Sequence, residues 1–159
     1  MPGDPSQGMP SLPAMKIRTL KPAHIRCHLQ TFLDIAADIE GEYWTEEHFL
    51  RDLPEKWQLS FALWAGERPV AYAVLSRKAP DHLHLHHFMV ARDVRGHGLG
   101  QRMAQEMEAR ARACGCRRLT LKVAANNEDA RRFYGRLGYH EMGRDDAYVT
   151  LGKALLTTE

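Results

Sequence analysis

The segment HLHLHHFMVARDVRGHGLGQRM, residues 82–103, combines two kinds of residues that could do chemistry. The histidines at alternate positions 82, 84 and 86 can accept protons near neutral pH, because an unperturbed imidazole has a pKa of about 6.5. The glycine-rich turn that follows can bring main-chain N–H groups close to a phosphate. The segment therefore predicts a phosphorylated cofactor beside proton-accepting side chains.

The glycine turn Arg95-Gly96-His97-Gly98-Leu99-Gly100 follows an apolar strand pattern and precedes a helical one. The start of a helix offers unpaired N–H groups and a partial positive charge, and residues 94–105 contain no acid that would repel a phosphate. A dinucleotide-binding turn would need an acid after the next strand, where this chain has Lys122, and a P-loop would need Gly-Lys-Ser/Thr. The alternative is a tight turn without a ligand.

The facing of the histidines follows from strand geometry. His82, His84 and His86 should point to one face of a strand and His87 to the other, unless a bulge intervenes. Each could instead be an exposed or hydrogen-bonded structural histidine. The His-x-His-x-His run could also bind zinc. We expect no metal, because no other residue is a convincing partner for such a site.

Composition bounds the class of protein. The chain has 159 residues, 44% of them hydrophobic, and a formal net charge of +2. We therefore expect one globular domain without a nucleic-acid or membrane partner, since there is no basic stripe and no apolar run of about 18 residues. The three cysteines predict free thiols and a cytoplasmic location. Residues 1–14 contain four prolines and predict a disordered tail.

The hydrophobic periodicity predicts strands and helices in the order β-α-α-β-β-β-α-β-α-β-β. We expect a single α/β domain over residues 15–153, with about four helices, a mixed sheet of about seven strands, and a C-terminal tail at 154–159. The strands are predicted at 16–20, within 57–78 on either side of a turn at 66–69, at 82–90 and 117–123, and within 139–153. The helices are predicted from Pro22, over 45–53, from Leu99, and over 127–138.

Two motifs resemble those of the GNAT superfamily of acetyl-CoA-dependent N-acetyltransferases. Arg95-x-x-Gly98-x-Gly100 after FMV is similar to the first family signature. NNEDARRFYGRLGYHEMG is similar to the second, with matching residues at Asn127, Ala130, Tyr134, Leu137, Gly138 and Tyr139. The resemblance covers about residues 15–153. It implies a strongly twisted mixed sheet that splays between its fourth and fifth strands, here 82–90 and 117–123.

The resemblance also implies a set of contacts with acetyl-CoA. The pyrophosphate would be held by the main-chain amides of Arg95, Gly96, His97, Gly98, Leu99 and Gly100. The pantetheine arm would pair with the main chain of Met89 and Val90, and Asn127 would contact it from across the splay. Tyr134 would lie near the sulfur as the general acid, although it could equally be a core aromatic residue.

The segment His84-Leu85-His86 and the helix RRFYGRLGYH look like parts of the arylalkylamine N-acetyltransferases. This likeness implies that His84 or His86 takes the proton of the acceptor amine, with the N–H of Val90 polarising the thioester carbonyl. An alkylammonium has a pKa of about 10.4, so freeing the amine at pH 7 costs about 4.6 kcal/mol without such help.

The predicted function is transfer of an acetyl group from acetyl-CoA to a primary amine of a small molecule. Glu40, Glu42, Tyr43 and Trp44 could help to bind the acceptor or could form an ordinary helix end. Acetylation of a protein N-terminus or lysine is an alternative, because EYWTEEHFL resembles ribosomal-protein N-terminal acetyltransferases, although those carry a glutamate at the position of Lys122. A non-catalytic acyl-CoA sensor is another, and the chain could act as a homodimer.

Overall fold

The computed structural model describes residues 14–38 and 44–155 and shows an α/β domain. The predicted Glu40, Glu42 and Tyr43 lie outside the described residues. The seven strands are β1 (Met15–Thr19), β2 (Phe61–Ala65), β3 (Arg68–Ala79), β4 (His82–Val90), β5 (Arg118–Ala124), β6 (His140–Arg144) and β7 (Tyr148–Ala154). The helices are α1 (Pro22–Cys27), α2 (Leu29–Ala36), α3 (Glu46–Leu50), α4 (Lys56–Leu59), α5 (Leu99–Ala113) and α6 (Glu128–Arg136).

The described residues contain six helices where the sequence predicts about four. The helix expected from Pro22 is interrupted at His28, whose φ of −122° and ψ of 28° separate α1 from α2. Helix α4 has only four residues, too few for a periodic pattern. It is held by the buried Lys56, whose ammonium group donates to the main-chain oxygens of Phe49 and Arg51 at 2.7 and 2.6 Å. These bonds also cap the end of α3.

The sheet has the order β1-β2-β3-β4-β5-β7-β6, and its only parallel pair among the described strands is β4 with β5. This pair is registered from His82 with Arg118 to Leu85 with Leu121. Both strands continue beyond that point, to Val90 and Ala124, without further pairing to each other. The mixed sheet and its splay between the fourth and fifth strands are therefore as predicted.

The helices cover both faces of the sheet. Phe32 of α2 and Phe49 near the end of α3 contact Tyr72 of β3, with ring centroids 5.8 and 5.3 Å away. Phe61 pairs with Ala73, the next residue along β3, and therefore points to the opposite face. The guanidinium of Arg110 in α5 lies 4.8 Å from the Phe61 ring centroid, so α5 covers that second face.

The described chain extends slightly past the predicted domain end. Strand β7 runs to Ala154, and the next residue, Leu155, is only 5% exposed within the core. Residues 1–13 and 156–159, most of both predicted tails, lie outside the described residues. None of the described helices is both long and apolar enough to cross a membrane.

Candidate active site

A β-bulge lies in the middle of the histidine segment of β4. Leu85 pairs with Leu75 and His87 pairs with Val74, so that His86 is an additional residue on β4. A bulge resets the alternation of side chains along a strand. Without the bulge, the side chain of His87 would point to the face opposite His84. With the bulge, His84 and His87 point to the same face of the sheet.

The hydrogen bonds confirm this orientation. The hydroxyl of Ser76 lies 2.6 Å from Nε2 of His86, and the hydroxyl of Tyr72 lies 2.7 Å from Nδ1 of His87. Ser76 and Tyr72 are four residues apart on β3 and therefore share one face. His86 and His87 thus both lie on the face that α2 and α3 cover in part.

Three histidines, His82, His84 and His86, form a continuous row on this face, named here the histidine array. The ring centroids of His84 and His86 are 4.9 Å apart, and those of His82 and His84 are 6.4 Å apart. The hydroxyl of Thr120 on β5 bridges His82 Nε2 and His84 Nδ1, at 2.5 and 2.8 Å. Because β4 and β5 separate after Leu85 and Leu121, the array lies where the splay begins.

The histidine array is neutral at physiological pH. Burial, with smaller contributions from His86, Lys78, His82 and Lys122, lowers the pKa of His84 to about 3. Burial, followed by the charges of Lys56 and Lys78, lowers the pKa of His86 to about 4. Both imidazoles can therefore exchange hydrogen bonds with a ligand, but they hold a proton weakly.

An aromatic stack continues the site beyond the array. The indole ring of Trp44 is stacked on His87 with a centroid distance of 4.5 Å, and His87 is stacked on Tyr72 at 5.6 Å. Of Glu40, Glu42, Tyr43 and Trp44, which the sequence suggests as acceptor-binding residues, Trp44 is the one that the structure describes, and it lies on the histidine face.

The open edge of β4 presents main-chain groups to the splay. The N–H of Ala91 donates to the oxygen of Val70 at 2.8 Å, and it therefore points towards β3. Because peptide groups alternate along a strand, those of Val90 and Phe88 point to the open edge, whereas those of Met89 point towards β3. The N–H of Val90 and the peptide groups of Phe88 are therefore accessible from the open edge, whereas the peptide groups of Met89, the other predicted main-chain ligand, point towards β3.

The glycine turn has the conformation that a phosphate cradle needs. Gly96 and Gly98 have φ angles of 82° and 76°, and a Cβ on either would meet no atom within 4 Å. Gly98 is the N-cap of α5, and the N–H of Arg102 makes the first helical bond to its oxygen at 3.1 Å. The N–H groups of residues 96–101 have no helical acceptor, and a Cβ on Gly96 or Gly98 would meet open space, so this part of the turn fits a pyrophosphate.

The side chain of Arg95, at the start of the turn, is held by the protein. Its Nε donates to the oxygen of Val90 at 3.0 Å, and its Nη2 pairs with Asp38 at 2.6 Å. Arg92 pairs with the same carboxylate. These contacts fix the turn between the end of β4 and the end of α2. The N–H of Arg95 donates to the oxygen of Arg92 at 3.3 Å, so this amide, predicted to bind the pyrophosphate, is already engaged within the protein.

Helix α6 packs against the start of α5 and against β4. A Cβ on Gly100 would lie 3.3 Å from the ring of Phe133, so this glycine permits the close approach of the two helices. Phe133 is stacked on Phe88 with a centroid distance of 6.2 Å. Tyr134 is 6% exposed and contacts Phe133 and Tyr139 edge-on, at 5.1 and 5.5 Å between ring centroids.

Asn127 serves as the helix cap that the sequence indicates. Its Oδ1 accepts a hydrogen bond from the N–H of Ala130 at 3.1 Å and so fixes the start of α6. With Oδ1 engaged, its amide nitrogen is the group with which it could reach a ligand.

Local sequence patterns do not indicate the hydroxyl partners of the histidine array, Ser76 and Thr120, or the ion pair of Asp38 with Arg95. Each depends on strand register or on a contact between distant elements, for which local spacing carries no signal. Among the described residues, no group of three or more His, Cys, Asp or Glu side chains could hold a metal ion.

Comparison with known proteins decides the family. Residues 28–139 match the Acetyltransferase (GNAT) family. The chain belongs to the GNAT family. The two motifs therefore indicated the correct family. The chain is also 41% identical over 66 residues to the 5-NmdU N-acetyltransferase of Pseudomonas phage PaMx11, a match that covers 42% of this chain and 44% of the phage enzyme. The matched segment is thus less than half of that relative.

Solved structures confirm the fold. Ard1 from Thermoplasma volcanium is 22% identical with a TM-score of 0.78, covering 90% of this chain and 99% of Ard1. The ribosomal-protein-S18-alanine N-acetyltransferase from Escherichia coli is 21% identical with a TM-score of 0.76, covering 91% and 96%. The PaiA N-acetyltransferase from Thermoplasma acidophilum, solved with coenzyme A, is 16% identical with a TM-score of 0.72, covering 88% and 98%.

Proposed function

We propose that this GNAT enzyme acetylates a primary amine of a small molecule by direct attack in a ternary complex with acetyl-CoA. Acetyl-CoA supplies the activated acetyl group as a thioester. The observation that carries the proposal is the neutral histidine array at the point where β4 and β5 separate. The free thiols of Cys27, Cys114 and Cys116 support the cytoplasmic location that the sequence predicts.

The residues that would hold acetyl-CoA lie along the open side of the splay. The amides of residues 96–100 are suited to the pyrophosphate. The outward-facing peptide groups of Phe88 are suited to the pantetheine arm, whereas at Val90 the N–H is available and the oxygen accepts a hydrogen bond from Arg95. The N–H of Val90 would donate a hydrogen bond to the thioester carbonyl and stabilise negative charge that develops there. Tyr134 would supply a proton to the departing sulfur.

The histidine array would select the neutral form of the acceptor amine. An alkylammonium has a pKa of about 10.4, so its proton does not remain on imidazoles as weakly basic as His84 and His86, and these residues can only relay it. The burial and nearby lysines that lower the histidine pKa values act on a bound ammonium in the same direction. The amine therefore loses its proton to water through the array, and an imidazole accepts a hydrogen bond from the neutral nitrogen.

A panel of acceptors tests the proposed function. Purified enzyme with acetyl-CoA is expected to acetylate small primary amines faster than peptides with a free N-terminus or lysine, and coenzyme A release measures the rate. The panel includes 5-NmdU, the acceptor in the name of the phage relative. Turnover restricted to peptides would favour a protein acetyltransferase. Binding of acetyl-CoA without turnover on any amine would indicate a sensor.

Removal of both central imidazoles is expected to slow the reaction most at neutral pH. With His84→Ala and His86→Ala together, kcat/KM should fall by at least about tenfold at pH 7, a modest part of what acid–base groups contribute. The difference in kcat/KM between the variant and the wild type should become smaller towards pH 10, where much of the amine in solution is already neutral. Because the pKa values of about 3 and 4 lie far below 6.5, the wild-type profile should show no histidine ionisation between pH 5 and 7.

His140→Ala is the matched control for that experiment, because His140 is exposed on β6 and lies outside the histidine array. It should leave kcat/KM within about threefold of wild type. Equal pH profiles of the double variant and the wild type would exclude a proton-handling role for His84 and His86.

A further inference from the structure

Lys122 lies beside the histidine array on the same face of the sheet. It follows Thr120 by two residues on β5, so the two side chains point to the same face. Thr120 contacts His84 at 2.8 Å, which ties this face of β5 to the array. Lys122 is exposed and lies just beyond Leu121, the last residue of β5 that pairs with β4. Its ammonium group therefore borders the opening between the strands.

The charges around the array are mainly positive. The charge of Lys78 lowers the pKa values of all three histidines of the array. The charge of Lys122 lowers the pKa of His84, and that of Lys56 lowers the pKa of His86. Among the described acids, Asp81 has the opposite effect and raises the pKa of His82.

Asp145 also lies within range of Lys122. Its carboxylate already accepts hydrogen bonds from the N–H groups of Ala147 and Tyr148, at 2.8 and 2.7 Å. Lys122 forms none of the ion pairs found among the described residues, so its ammonium group is not held by Asp145 and can approach a ligand.

An apolar surface adjoins Lys122. Directly paired residues point to the same face, and Tyr148 pairs with Ala124 while Thr150 pairs with Lys122. Tyr148 is 41% exposed and Met142 is 63% exposed, which makes them the exposed large apolar side chains of the described residues. Met142 lies over Gly152, where a Cβ would be 2.9 Å from its Cγ, and Gly152 pairs with Thr120.

We propose, on the basis of the amine acetylation inferred above, that the acceptor carries a phosphate or carboxylate group and that Lys122 binds it. The amine lies at His84 and His86, and the apolar part of the acceptor lies against Met142 and Tyr148. Two residues along a strand span about 7 Å, so a spacer of four or five carbons suits the distance between amine and anion. A cationic end, as in a diamine, is repelled by the same lysines.

Acceptors of matched length test this subsite. The wild-type enzyme is expected to use δ-aminovalerate or aminobutyl phosphate with a kcat/KM about tenfold above that of pentylamine, the gain of one charge-assisted hydrogen bond. Cadaverine should be the poorest of the four. Whether the carboxylate or the phosphate is preferred identifies the anion, and added salt should reduce the preference.

Lys122→Glu should invert the order of kcat/KM among these acceptors, so that the value for cadaverine exceeds that for δ-aminovalerate. Lys16→Glu is the control, because Lys16 is exposed on β1 at the far edge of the sheet, and it should leave the order unchanged. An unchanged order in Lys122→Glu, or a wild-type preference for cadaverine, would overturn the anionic subsite while leaving amine acetylation intact. Failure to acetylate any of the four amines, together with the wider panel, would instead overturn the proposed function.

Discussion

Gly98→Glu is expected to weaken the binding of coenzyme A by at least about 100-fold, which corresponds to about 2.7 kcal/mol. Gly98 is the N-cap of α5 and is exposed, in the turn whose amides are suited to the pyrophosphate. A carboxylate at this position would accept hydrogen bonds from the N–H groups that bind the phosphate, and its negative charge would repel the phosphate. Isothermal titration calorimetry with coenzyme A measures the loss directly.

The substitution should affect the ligand more than the fold. Gly98 has a φ of 76°, a conformation that costs a residue with a Cβ about 1–2 kcal/mol of folding free energy. A Cβ would nevertheless meet no atom within 4 Å, and a negative charge at the start of a helix regains about 0.5 kcal/mol. A small fall in Tm with a large loss of affinity is therefore the expected combination.

Gly115→Glu provides a control with the same charge and a similar backbone conformation. Gly115 has a φ of 81°, is open to solvent, and follows the opposite end of α5. This variant should lose stability but keep its affinity for coenzyme A. Gly98→Asn separates strain from charge, because asparagine tolerates this conformation and is neutral. Equal affinity of Gly98→Glu and wild-type enzyme would exclude the turn as the phosphate site.

The element order and the glycine turn could be predicted because their causes are local. Alternation of Leu119, Leu121 and Val123 determines a strand, and glycine marks positions where φ is positive, as at Gly98. The splay was implied by the family resemblance, and the structure shows it as the end of pairing after Leu85 and Leu121. The strand and the turn depend on a few neighbouring residues and can be predicted from the sequence alone, whereas the splay was predicted only through the resemblance.

The bulge at His86 and the chemistry that it produces could not be predicted in the same way. Its presence depends on the register between β3 and β4, which brings Ser76 to His86 and Tyr72 to His87. The low pKa values of His84 and His86 arise from burial and from lysines on other elements. An isolated histidine motif predicts a base of pKa about 6.5, whereas the folded site contains neutral hydrogen-bonding groups.

Tyr134→Phe is expected to reduce kcat by about 100-fold, at the lower end of the range for a lost general acid. Coenzyme A affinity should stay within about twofold of wild type, because the ring that packs against Phe133 and Tyr139 is retained. Tyr134 is 6% exposed, so phenylalanine fits the same space without a cavity. Single-turnover measurements separate this loss of rate from any change in the release of products.

Tyr139→Phe supplies the matched control, because Tyr139 is the neighbouring phenol and lies 5.5 Å from Tyr134 between ring centroids. Its hydroxyl is buried without a hydrogen-bond partner in the described part of the chain, and burial raises its pKa further above the ordinary value. Removal of an unsatisfied hydroxyl should leave stability and kcat nearly unchanged. If both variants lost activity equally, packing around α6 would explain the effect; if neither did, Tyr134 would not be the proton donor. A loss confined to Tyr134→Phe would assign the proton to its hydroxyl.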